Sequence, residues 1–148
     1  MTQTWKKAAK LRALPCLLAA GATLPAHAQE DIAGKLLVEL NATRQVEEGC
    51  ELSFLATNGH AGDLDSAVFE VVLFDTGGQV ERLTLLDFGS LPAARPRVRQ
   101  FVLRDSDCAG LGMVLFNGAT ECSGTETGDA ACDTALELST RTGIEVTG

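Results

Sequence analysis

The sequence predicts an all-β fold, an antiparallel β-sandwich of about seven strands held by two disulfides. Three observations carry this. From residue 35 onward, short apolar runs are punctuated at near-regular spacing by Gly, Asn, Asp and Pro. The same stretch contains no long amphipathic helix, and no repeat of about 20 to 50 residues. Four cysteines (Cys50, Cys108, Cys122 and Cys132) fall in this part of the chain, and an even count in an exported chain reads as two bridges.

The elements follow in order. Lys35 to Leu40 is a first strand, ended by Asn41. Cys50 to Thr57 sets Cys50, Leu52, Phe54 and Ala56 against Glu51, Ser53 and Thr57, with Leu55 as the exception, and Asn58-Gly59 stops it. Ser66 to Phe74 is the most β-prone stretch, with Phe69, Val71 and Leu73 on one face and Glu70 on a wetter one. Val80 to Phe88 follows, then a turn over Gly89-Ser90-Leu91-Pro92. In Arg97 to Leu103, a regular strand would put Arg97 and Arg99 on the face of Phe101 and Leu103, so a bulge near Gln100 is expected to restore Val98 to that side. Gly112 to Phe116 is expected to end at Asn117-Gly118, and Ala135 to Leu138 and Ile144 to Val146 close the set. The acidic stretch from Glu121 to Asp129 reads as an exposed loop.

The N-terminus reads as a targeting segment. Lys6, Lys7, Lys10 and Arg12 precede an apolar run from Ala13 to Ala22, and Ala26-His27-Ala28 offers a small-x-small cleavage site. Residues 1–28 are expected to be a signal peptide cut between Ala28 and Gln29, leaving residues 29–148 as one domain in the periplasm or outside the cell. The run is too short to span a bilayer. Paired arginines are absent, which favours the general secretory route. Ala13-Leu14-Pro15-Cys16 lacks the small residue that precedes a lipidated cysteine, so Cys16 is expected to leave with the signal. The remaining chain would hold 8 basic and 20 acidic residues, net −12 against −8 for the full length. Such a surface repels nucleic acid and anionic lipid.

Four cysteines permit three pairings. Cys122 and Cys132 enclose nine residues rich in Gly, Thr and Ser, a span easily closed on itself. Cys50 opens one core strand and Cys108 follows another, so the expectation is Cys50–Cys108 and Cys122–Cys132. A zinc or haem site finds no support, since Cys-x-x-Cys is missing and His60 is the single histidine after the signal.

Leu73-Phe74-Asp75-Thr76-Gly77-Gly78 raises the one catalytic question. Asp-Thr-Gly after two apolar residues is how the catalytic loop of an aspartic protease begins, and a dimer would supply the second carboxylate that such chemistry requires. The loop then needs a small hydroxyl or methyl side chain where Gly78 stands. The supporting apolar-apolar-Gly element is interrupted by Asn117 in Leu115-Phe116-Asn117-Gly118, and Pro92, Pro96 and an arginine cluster occupy the place of the flap. Asp75 is better read as a hairpin turn residue that caps its own loop, with glycines taking positive φ.

Val71-Val72-Leu73-Phe74-Asp75 followed by Gly78, with Leu91-Pro92 beyond, resembles the core of FxLyD-type immunoglobulin-like domains of bacterial envelope proteins, with Val71 for Phe and Phe74 for Tyr. Residues 36–117 also resemble small exported proteins of alphaproteobacteria, often labelled only by their twin-arginine (Tat) signal sequence. That likeness rests on Leu37-Val38-Glu39-Leu40-Asn41, Leu73-Phe74-Asp75, Val98-Arg99-Gln100-Phe101, Gly112-Met113-Val114-Leu115 and the cysteine layout. It implies an immunoglobulin-like sandwich in the periplasm and carries no activity.

Other candidates are weighed on their chemistry. Arg95, Arg97, Arg99 and Arg104 form the only dense basic patch after the signal; it would suit an acidic partner or a phosphate, and is better read as charge that protects an edge strand from pairing or that matches the chain's own carboxylates. Asp63-Leu64-Asp65 and Glu121 to Asp133 lack the alternating carboxylates and terminal Glu of a strong calcium loop. Asn41-Ala42-Thr43 is a formal sequon, read as a strand-ending turn, and Gly-x-Ser-x-Gly is absent. No catalytic residue, cofactor or metal is expected. The reading is a non-enzymatic binding or structural module whose partner is another envelope protein. The alternatives are a dimeric aspartic protease using Asp75 and a calcium- or small-ligand-binding domain using the acidic loops.

Overall fold

The computed structural model describes residues 31–124 and 130–148. The expected signal peptide, its cleavage between Ala28 and Gln29, and residues 125–129 of the acidic stretch lie outside the described residues.

Eight strands form two four-stranded sheets among the described residues. They are β1 (Leu36–Val46), β2 (Gly49–Asn58), β3 (Leu64–Asp75), β4 (Val80–Asp87), β5 (Arg97–Arg104), β6 (Leu111–Gly124), β7 (Leu136–Thr140) and β8 (Glu145–Thr147). One sheet runs in the order β5-β2-β1-β7, the other β4-β3-β6-β8. The first six strands thus follow immunoglobulin wiring, with β1, β2 and β5 in one layer and β4, β3 and β6 in the other. The departure is at the far edges, where β7 pairs with β1 and β8 with β6 in parallel.

The period-two patterns dictate the core. In β2, Cys50, Leu52, Phe54 and Ala56 are fully buried while Glu51, Ser53, Leu55 and Thr57 are half-exposed, which is the alternation the sequence carries. Phe69, Val71 and Leu73 of β3 are buried likewise. Between the layers, Phe88 meets Phe54, Phe69, Phe101 and Phe116 at centroid separations of 5.1–6.4 Å. Most of these contacts are edge-to-face or tilted, the arrangement that aromatic quadrupoles prefer.

Two irregularities lengthen strands that the sequence suggests are short. Asn41 does not end β1: the register with β2 shifts between Leu40 and Ala42, and the strand continues to Val46. Asn117-Gly118 does not end β6, because Gly118 takes φ 150° within the strand and the pairing with β3 shifts register there and resumes. Glu121 and Cys122 therefore belong to β6 and not to a loop.

The crossovers between layers are pinned individually. Buried Asn58 donates from Nδ2 to Gly62 O (3.0 Å) and Leu91 O (2.8 Å), and its Oδ1 accepts from His60 N. It thereby ties the β2–β3 and β4–β5 connections together. Cys50–Cys108 fastens β2 to the 3₁₀ turn (Cys108–Gly110) leading from β5 into β6, and Cys122–Cys132 fastens β6 to the short helix α1 (Ala130–Asp133) leading to β7. Both expected pairings are present.

Candidate interaction surface

The Asp75 turn is a structural joint. Asp75 Oδ1 accepts from Gly77 N (2.8 Å) and Gln79 N (2.9 Å), and Gly78 N donates to Asp75 O (3.0 Å), closing the β3–β4 hairpin. Only Gly78 of the two glycines takes positive φ, at 79°. Gly112 lets β6 pass beneath, since a Cβ there would come within 2.5 Å of Asp75 O. One carboxylate oxygen of Asp75 is thus engaged by two backbone amides.

The acidic candidates are also engaged separately. Asp63 Oδ1 accepts from Ala93 N, and Asp133 Oδ1 accepts from Ala119 N. Among the described residues no three carboxylate, histidine or cysteine side chains gather as a metal would require.

The arginines do not form one patch. The register between β2 and β5 is unbroken from Gly49↔Arg104 to Ala56↔Arg97, so the bulge expected near Gln100 is absent. Arg97 and Arg99 do share the inward face with Phe101 and Leu103, and Val98 (60% exposed) and Val102 (43%) face outward. This is tolerated because Arg99 lies where the sandwich opens at its side. Its Nε donates to Phe88 O (2.6 Å) and Nη2 to Ser90 O (2.9 Å), capping carbonyls of the β4–β5 connection. Arg97 bonds only the adjacent Pro96 O, and Arg95 and Arg104 are exposed. None of the four is ion-paired with a carboxylate among the described residues; the ion pairs engage Lys35, Arg44, Arg82 and Arg141 instead. No carboxylate of the described residues holds them.

What the arginines mark is a sheet edge. β5 ends one sheet and β4 ends the other. The two edges lie on the same side of the sandwich: Arg82, near the start of β4, donates to Arg104 O (2.9 Å) and to Ser106 Oγ at the end of β5, while Arg99, near the start of β5, reaches Phe88 just past the end of β4. The edges consequently run antiparallel to one another. Every large hydrophobic residue that stands exposed among the described residues is on one of them: Val80 (61%), Leu83 (55%) and Leu85 (57%) on β4, with Val98 and Val102 on β5. Sequence reasoning misses this grouping, since the alternation identifies an outward face but not which strands are left without a neighbour.

No protein family, curated protein or solved structure matches the chain. No helix of the described residues is long and apolar enough to cross a membrane. Two disulfides suit an oxidising compartment.

Proposed function

We propose that this chain is an exported, non-enzymatic binding or structural module of the cell envelope, acting in the periplasm or outside the cell on another protein there. The observation that supports it most is the gathering of all five exposed large hydrophobics on two open edges of one side. Scattered singly, such residues need no explanation; grouped on unpaired strands they mark a contact surface. The polar groups that looked chemical support the same reading, because Asp75, Asp63, Asp133 and Arg99 each hold backbone.

A pull-down from solubilised envelope tests this. Tagged protein should retain a partner, and Leu85→Lys with Val98→Lys should release it while circular dichroism stays unchanged. Retention that ignores those changes would remove the surface from the proposal. The protease alternative has its own test. Asp75→Asn should cost at most about 1 kcal/mol, since the amide oxygen accepts the same two N–H bonds. Wild-type proteolysis that disappears in this variant would overturn the non-enzymatic reading.

A further inference from the structure

We infer that the β4–β5 side is closed by a second copy of this chain, in a two-fold dimer in which β5 of each copy pairs with β4 of the other. The inference rests on the same exposed edges as the proposed function but names a second copy, in place of a different protein, as their occupant, and it does not depend on export.

Four features of the edges converge. They match in length, at eight residues each. They run antiparallel on one side of the molecule, as the Arg82–Arg104 and Arg99–Phe88 contacts require. A two-fold axis along the mean strand direction exchanges the layers without reversing strands, so it sets β5 antiparallel to the copy's β4, and β4 to the copy's β5, in one operation. The contact is therefore isologous and closes at two copies. Each sheet becomes eight-stranded, and no long edge stays open.

The third feature is charge. β5 carries Arg97, Arg99 and Arg104 and no acid, whereas β4 carries Glu81 and Asp87 beside Arg82. Pairing β5 with β5 would set arginines against arginines, and an antiparallel β4–β4 seam would bring Glu81 towards Asp87. Each edge therefore repels itself, which disfavours both like-with-like seams. Charged edges that guard against random pairing are in this way also selective for one partner.

The fourth is the apolar set. The axis preserves height along the strands, so Val102 of one copy falls between Leu83 and Leu85 of the other, and Val98 lies towards the Asp87 end. These outward residues then become cross-strand neighbours at both seams. The height match overlaps about six residues at each seam, and two such seams offer on the order of a dozen ladder hydrogen bonds, the number that a stable interface carries.

Sedimentation of the purified protein from low-micromolar to near-millimolar concentration should show a dimer that grows no further. Leu83→Asp alone and Val102→Lys alone should each weaken it about a hundredfold, since each sets a charge against an apolar neighbour in the seam. The double variant should regain most of the loss, because the carboxylate introduced on β4 of one copy would then face the ammonium introduced on β5 of the other. Circular dichroism should be unchanged throughout, while the melting temperature should fall with the dimer and recover with it. A monomer at every concentration, growth beyond two copies, or a dimer indifferent to both single changes would overturn the arrangement. So would weakening by both that the double variant deepens, which points to β4–β4 or β5–β5 seams. A monomer that still retains a different envelope protein would retire the dimer and leave the proposed function standing; a dimer that retains nothing would do the reverse.

Discussion

The two long sides of this sandwich end in opposite ways. On one side β4 and β5 present eight residues each, with five exposed large apolar side chains and, among the described residues, no strand beyond them. On the other, β7 and β8 are five and three residues long and are laid in parallel against β1 and β6. There the chain turns back on itself: Arg141 N donates to Leu40 O, and Ile144, between the two strands, is buried. Short edges present too few free backbone groups to template another chain, and this is one of the ways in which β proteins avoid edge-to-edge association. The same molecule thus blunts one side and leaves the other long and apolar. The difference teaches that one fold finishes its two sides by different means, blunting one and leaving apolar residues on open strands at the other.

The largest expected effect divides the sides by their disulfides. Cys50 lies opposite Leu103 of β5 and bonds the turn that leaves that edge, whereas Cys122 bonds α1 on the way to β7. Their sequence separations are 58 and 10 residues. Chain-entropy arguments assign about 4 kcal/mol to the longer link and roughly 3 to the shorter. Replacing Cys50 and Cys108 together by Ala should therefore lower the urea midpoint more than replacing Cys122 and Cys132 together. The reverse order would mean that the blunted side carries the fold's stability.

A smaller effect separates the two inward arginines of the open side. Removing Arg99 leaves Phe88 O and Ser90 O without their charged donor. Arg99→Ala should cost about 2 kcal/mol in chemical denaturation. Arg97→Ala, which gives up one bond to the neighbouring Pro96 O, should stay within about 0.5 kcal/mol. Equal effects would show that β5 is held by its general positive charge and not by the capped carbonyls.

The sequence makes the layered core legible because side-chain period and burial are the same fact in β2 and β3. The Asp75 hairpin is legible for a similar reason, since its chemistry is local. Both disulfide pairings are legible too, because Cys50 and Cys108 flank core strands and Cys122 and Cys132 enclose a short span easily closed on itself. What stays hidden is non-local. Asn117-Gly118 has turn composition but sits within β6, where pairing with β3 across the register shift overrides local preference. Arg99 violates the alternation of β5, and a bulge is the economical repair from sequence alone. Its actual resolution needs Phe88 O and Ser90 O, carbonyls of another segment that no pattern in β5 discloses. The candidate surface is half legible: the arginines mark an edge, but only the strand order puts Leu83 and Leu85 on the edge beside it.

The smallest expected effect lies on the blunted side and concerns acid. Glu39 of β1 accepts from Asn41 Nδ2 (2.9 Å) and from Arg141 Nε (2.8 Å), the latter just past the end of β7. The Asn41 bond first, then the Arg141 bond and charge, hold its carboxyl below the ordinary value against a small opposing cost of burial. A carboxyl whose folded value is depressed contributes stability that is fully present above its unfolded value and is lost as pH falls through the folded one. The pairing therefore supports β7 at neutral pH and stops doing so once acid protonates Glu39. Exposed pairs of this kind contribute little, because water and salt screen them. The prediction is accordingly one of pattern: Arg141→Ala should lower the melting temperature slightly at neutral pH, less in high salt, and not at all below the carboxylate range. A deficit that persists undiminished in acid would mean that the ion pair adds nothing to the closure of that side, since the backbone bond from residue 141 to Leu40 O is kept in the variant.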